Sequence, residues 1–125
     1  VWERWNGIHP DGHFANKDMN SFNHYAYGVV FDWMFCRLGG INTCEEQPGY
    51  RRILFAPAPD RRIEWVKCGI DTAYGEVKSE YRLENGQWHF TLTVPCGCEA
   101  QACIFGKTFD LTEGENTLSL PDPAE

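Results

Sequence analysis

Apolar positions along this chain follow one period before Pro48-Gly49 and another after it. Phe22, Tyr25, Ala26, Val29, Val30, Trp33, Met34 and Leu38 recur at helical spacing, which predicts a helix over 21–38. Asn20 and Ser21 are favourable N-caps ahead of it, and Gly39-Gly40 supplies a left-handed stop. Tyr27, Phe31 and Phe35 fall off that stripe, so the helix is apolar nearly all round. Such a helix is expected to be surrounded by protein instead of lying on a surface. Residues 1–20 read as irregular, with Pro10-Asp11-Gly12 as a turn in which Pro presets φ and Gly accepts a positive one.

After Pro48-Gly49 the period shortens to two. Strands are predicted over 51–56, 63–70, 76–83 and 88–94, the last two alternating cleanly. Asn85-Gly86 between them is a hairpin signal. Two further short strands are expected near 99–105 and 116–120, with Gly106 and Gly114 marking turns. Short strands separated by turn signals describe an antiparallel β-sandwich. The fold expected is therefore mainly β, with a loop and one long helix ahead of the sandwich. The domain boundary falls between residues 49 and 50. No internal repeat or low-complexity tract interrupts the pattern.

The 125 residues suffice for one domain. The charge balance is acidic, with 18 Asp and Glu against 11 Lys and Arg and a net charge of −7. Arg51-Arg52 and Arg61-Arg62 are the only cationic clusters, which argues against a nucleic-acid partner. No apolar run reaches the length of about 18 residues that a membrane helix needs. No basic-then-apolar leader follows Val1, and the start Val1-Trp2-Glu3-Arg4-Trp5 reads as cut from something longer. Five Trp, five Tyr and eight Phe suit either a buried core or sugar-stacking surfaces.

Six cysteines stand at 36, 44, 68, 96, 98 and 103. A chain of this size does not need the disulfides of a small secreted scaffold. Cys96-Gly97-Cys98 lacks the spacing of a zinc knuckle. Free thiols are the favoured reading, disulfides the next, and metal binding the least. Free thiols lean towards a reducing cytoplasm, and localisation is otherwise undetermined by the sequence.

The densest chemistry lies in Trp2-Glu3-Arg4-Trp5-Asn6-Gly7. A carboxylate flanked by two indoles suits a carbohydrate site, where aromatic faces stack on sugar C–H surfaces and the carboxylate activates water or binds hydroxyls. The plainer alternative makes Trp2 and Trp5 core anchors and pairs Glu3 with Arg4 or solvent. His24 opens the predicted helix and could donate to a substrate hydroxyl or to a neighbouring carbonyl. His9 and His13 sit four apart on a turn, and with His24 they form only a weak metal pattern, so no metal and no cofactor is expected. His89 alternates outward on a strand. Phosphate-binding glycine loops and G-x-S-x-G elbows are missing, which removes nucleotide and esterase chemistry.

Several segments, taken together and in order, resemble the C-terminal end of the bacterial α-L-rhamnosidases of glycoside hydrolase family 78. They are Trp2-Glu3-Arg4-Trp5-Asn6-Gly7, Pro10-Asp11-Gly12, Met19-Asn20-Ser21-Phe22-Asn23-His24-Tyr25-Ala26-Tyr27-Gly28, Gly39-Gly40-Ile41 and Pro48-Gly49-Tyr50-Arg51-Arg52-Ile53. The resemblance implies that residues 1–49 end an (α/α)6 catalytic barrel and that 50–125 form the sandwich behind it. It implies hydrolysis of terminal α-L-rhamnose with inversion, with Glu3 at the position of the general base. His24 matches the histidine that contacts the sugar, and Trp2 and Trp5 would shape the wall around Glu3.

The family's general acid belongs to a motif that nothing here matches. The chain is therefore expected to be a C-terminal fragment, inactive alone, whose uncovered helix favours self-association. The rival reading is a non-catalytic carbohydrate-binding or structural sandwich. It would use Trp65, Trp88 and Tyr81, although alternation places such aromatics more readily in a core.

Overall fold

The structure is a computed structural model that describes residues 2–18 and 21–124. The chain divides into two compact units, Val1–Trp33 and Met34–Glu125. In the first, an irregular segment leads into α1, Tyr25–Trp33. In the second, a π-helical stretch, Met34–Gly39, precedes eight strands.

The helix begins later than its apolar stripe suggests. Ser21, Phe22 and Asn23 lie outside it, and the Tyr27 amide donates to the His24 carbonyl at 3.2 Å as the first turn forms. Asn20, one of the two expected caps, falls outside the described residues. Phe22 is drawn away from the helix because its ring packs against Trp2 at 5.1 Å and Phe14 at 5.5 Å. None of the residues of α1 is buried. Tyr25, Val29 and Phe31 are each more than half exposed, so the apolar all-round pattern meets no cover among the described residues. No helix among the described residues is long and apolar enough to cross a membrane.

The helical stretch ends where the sequence placed its stop. Gly40 takes φ +72°, open to a residue without Cβ. A Cβ at Gly40 would stand 2.1 Å from the Pro57 nitrogen, and one at Gly39 would stand 2.5 Å from Cys68 Sγ. Main chain and strand therefore approach too closely here for any side chain.

The strands are β1 Ile41–Thr43, β2 Arg52–Phe55, β3 Trp65–Thr72, β4 Gly75–Glu84, β5 Gln87–Val94, β6 Glu99–Ile104, β7 Lys107–Leu111 and β8 Gly114–Pro121. They form two four-stranded sheets, in the orders β1-β2-β6-β7 and β3-β4-β5-β8. Every pair is antiparallel except β2 with β6, which runs parallel and matches Ile53 with Ala100. The mainly β architecture thus holds, with two strands more than the sequence indicated. β1 has three residues and lies ahead of position 50, and β7 contributes only Phe109 and Leu111 as large apolar groups.

Alternation decides the core. Trp88, Phe90, Leu92 and Val94 on β5 are buried, while Gln87, His89, Thr91 and Thr93 face the other way. Val77 and Tyr81 from β4 meet Ile53 and Phe55 from β2 and Ala102 and Ile104 from β6 in one cluster. Asn85 and Gly86 both take positive φ, as a tight type I′ hairpin requires. Cys44, Cys68, Cys96, Cys98 and Cys103 carry free thiols, and Cys44 Sγ donates to Glu46 at 2.6 Å. That bond holds the Glu46 carboxyl below its usual range.

Candidate functional site

The segment before α1 is organised around its turn. Pro10-Asp11-Gly12 reverses the chain, the His9 amide donates to the His13 carbonyl at 2.8 Å, and Ile8 bridges Phe14. His13 Nδ1 stands 3.3 Å from Asp11 on the exposed side of this turn. Gly7 is buried because Phe22 lies over it, with the ring 3.0 Å from where a Cβ would be. The Glu3 amide then donates to the Ser21 carbonyl at 2.8 Å. This bond brings Glu3 beside the start of the helix, although the two partners are eighteen positions apart in the sequence.

Glu3 and His24 consequently line one open concavity of about 550 Å³, together with Asp18, Ser21, Asn23 and Tyr25. Glu3 also borders a second, mostly apolar concavity of about 600 Å³ formed with Trp2, Arg4, Trp5 and Tyr27. Glu3 is half-buried between the two. Trp2 is 46% exposed and Trp5 is 99% exposed, so neither is a core anchor among the described residues. The His24 ring stacks on Tyr27 with centroids 4.6 Å apart, and its Nδ1 is out of solvent with no hydrogen-bond partner among the described residues. Stacking on Tyr27 restrains the plane of the imidazole.

All four residues singled out by the sequence therefore gather within one short unit. Sequence reasoning passed over Asp18, Asn23 and Tyr27 as lining residues. Asp18 is held by a turn in which its amide donates to Asn16 Oδ1 at 2.9 Å. The Asn16-Lys17-Asp18 pattern is the one available signal for that turn. No group of three His, Cys, Asp or Glu able to hold a metal ion occurs among the described residues.

The sandwich offers a separate set of polar and aromatic groups. Trp88 and Tyr81 are core residues, 1% and 3% exposed, while Trp65 is 65% exposed. Of the three aromatics a binding sandwich could use, one is available.

Comparison with known proteins joins the two parts of the chain. Residues 1–38 match the bacterial α-L-rhamnosidase six-hairpin glycosidase domain. Residues 40–119 match the bacterial α-L-rhamnosidase C-terminal domain. An α-L-rhamnosidase of Streptomyces avermitilis is 36% identical over 104 residues, which is 83% of this chain and 10% of that protein. The crystal structure of an α-L-rhamnosidase from Aspergillus terreus superposes with a TM-score of 0.76 at 30% identity, covering 96% of this chain and 14% of that one. The structure of the Streptomyces avermitilis enzyme complexed with L-rhamnose gives a TM-score of 0.74 at 27% identity, with 96% and 13% covered. The chain thus spans about a tenth of the length of the curated relative. With more than half of its length matched by that one domain model, the chain belongs to the bacterial α-L-rhamnosidase C-terminal domain family.

Proposed function

We propose that these residues serve as the C-terminal part of an inverting α-L-rhamnosidase acting on rhamnose-containing glycosides. The segment ahead of the sandwich closes an (α/α)6 barrel. Glu3 is the general base that activates water, His24 holds a rhamnose hydroxyl, and Trp2 and Trp5 wall the sugar site. One observation carries this reading: Glu3 and His24 border the same concavity, with the two indoles gathered on the other side of Glu3.

Inversion needs two carboxyl groups roughly 6.5–9.5 Å apart, one to protonate the leaving oxygen and one to activate water on the opposite face. This chain supplies the second. The 125 residues alone therefore leave an aryl α-L-rhamnoside intact, and a polypeptide carrying them at the end of a complete barrel cleaves it. In that longer protein Glu3→Gln removes nearly all turnover, whereas His24→Ala acts mainly through KM. Turnover by the 125 residues alone, or near-normal turnover by Glu3→Gln, refutes the assignment.

The bare apolar surface of α1 points to a second copy as its cover when the 125 residues are isolated. Sedimentation then shows self-association, and a clean monomer counts against it. The competing reading, a carbohydrate-binding module without catalysis, is favoured at one place only, the exposed indole of Trp65.

A further inference from the structure

β3 is an edge strand, paired on one side with β4 and on the other with nothing among the described residues. Its phase sends Val66, Cys68 and Ile70 towards the core and Trp65 and Lys67 to the outer face. Register extends that outer row across the sheet. Trp65 lies opposite Arg82, Arg82 opposite His89, and His89 opposite Ser119. The next row carries Lys67, Glu80 and Thr91. Trp65, Arg82 and His89 of the first row and all three residues of the second line a concavity of about 370 Å³. Sites for small ligands commonly run from about 300 to 1,000 Å³, so the space admits a small molecule or a short polymer segment.

The chemistry of the lining selects the ligand. Both cations are already matched: Lys67 Nζ stands 3.1 Å from Glu80, and Arg82 Nε stands 2.9 Å from Glu84. A surface whose positive groups each have a carboxylate beside them does not select an anion. What it offers is an indole face flanked by alternating donors and acceptors. His89 adds a ring tethered at Nδ1 to Ser119 Oγ at 2.9 Å, which orients it across the sheet. A polyhydroxylated ring matches this arrangement. Its C–H face packs on an aromatic plane, and its hydroxyls both donate and accept. An indole combines a large apolar body with little rotamer freedom to lose.

We propose that the outer face of β3, β4 and β5 around Trp65 is a binding site for a neutral saccharide, separate from the concavity at Glu3. Because the two surfaces share no residue, the proposal stands apart from the function assigned to Glu3 and His24.

Native electrophoresis of the 125-residue chain in gels containing galactomannan, arabinogalactan, hydroxyethyl cellulose or polygalacturonate tests it. The expected result is retardation in at least one of the three neutral polymers and none specific to the anionic one. Trp65→Ala weakens that retardation at least tenfold, Trp65→Phe keeps part of it, and Glu3→Gln keeps all of it. Far-UV circular dichroism of Trp65→Ala matching the parent shows that the sandwich is intact. If that variant does not fold, the ordering of Trp65→Phe below the parent decides. Free migration in all three neutral gels overturns the proposal and leaves Trp65 to a protein contact. Unchanged retardation of the Trp65 variants, or stronger retardation in polygalacturonate, overturns it as well.

Discussion

The hydroxyl of Tyr81, on β4, donates to the main-chain carbonyl of Leu38 in the π-helical stretch at 3.1 Å. The last carbonyls of a helix have no partner within it. Here three of them find one elsewhere: Cys36 receives Asn42 Nδ2 at 3.1 Å, Arg37 the Ala58 amide at 2.9 Å, and Leu38 the phenol of Tyr81. Burial, with smaller effects from Asp60 and Cys68, pushes the Tyr81 phenol up to about 12. It therefore remains a donor through the neutral range. Replacing Tyr81 with Phe keeps the ring in the core and deletes only the donor. The expected loss is about 1–2 kcal/mol, because a part-buried carbonyl is left unmatched. Urea titration at pH 7 measures it, and an unchanged midpoint would mean that the bond contributes nothing.

Gly40 and Gly97 take nearly the same φ, +72° and +77°, in different surroundings. A Cβ at Gly40 collides with main chain at Pro57, and one at Gly97 meets nothing within 4 Å. Gly97→Ala therefore carries only the backbone penalty of a left-handed conformation, about 1 kcal/mol. Gly40→Ala adds a steric clash that no side-chain rotation relieves, and soluble folded protein is expected to fall sharply. Comparing the two variants by thermal unfolding separates conformational strain from lost space. Equal effects would show that the close approach is soft.

Ser79 is fully buried on β4, and its Oγ finds no hydrogen-bond partner among the described residues. Hiding an unmatched hydroxyl costs free energy, whereas a methyl in the same place does not. Ser79→Ala is expected to raise stability by about 1 kcal/mol, the lower end of the penalty for an unmatched buried polar group. A fall in the denaturation midpoint would reveal a partner for the hydroxyl.

Asp122 closes the sandwich near its end, with its carboxylate buried. It accepts from the Ala124 amide at 3.0 Å and from the Arg61 guanidinium. The amide, then the Arg61 bond, hold its pKa below the ordinary carboxylate value of 3.8. A depressed carboxylate stabilises the fold in full above its unfolded pKa. That contribution fades as pH falls through the folded value. Stability should therefore drop on acidification below about pH 4, and Asp122→Asn should flatten that part of the profile. Parallel profiles for the parent and the variant would remove Asp122 from the acid response.

Local pattern was enough for much of this protein. The buried phase of Trp88, Phe90 and Leu92 was readable from their alternation, because a strand allows only two phases, whereas Trp65, expected more readily in the core, lies on the outer face of β3. The hairpin at Asn85-Gly86 was readable because few residues tolerate its φ values. Glu3 and His24 were readable as candidates from the residues around them, since indoles beside a carboxylate and a histidine at a helix start are visible in the sequence.

By itself, then, the sequence determined the mainly β class, the positions of six strands, the glycine stop at 39–40 and the set of candidate side chains. Tertiary structure alone decided what depends on partners distant along the chain. It set β2 parallel to β6 and recruited β1 and β7, segments too short to announce themselves. It drew Phe22 out of the helix to lie between Trp2 and Phe14. It buried Trp88 while leaving Trp65 on an edge, and it tied the amide of Glu3 to Ser21 so that Glu3 and His24 line one concavity. The reason is physical. Periodicity reports which face of an element is apolar, and only packing reports what that face, or its opposite, finally meets.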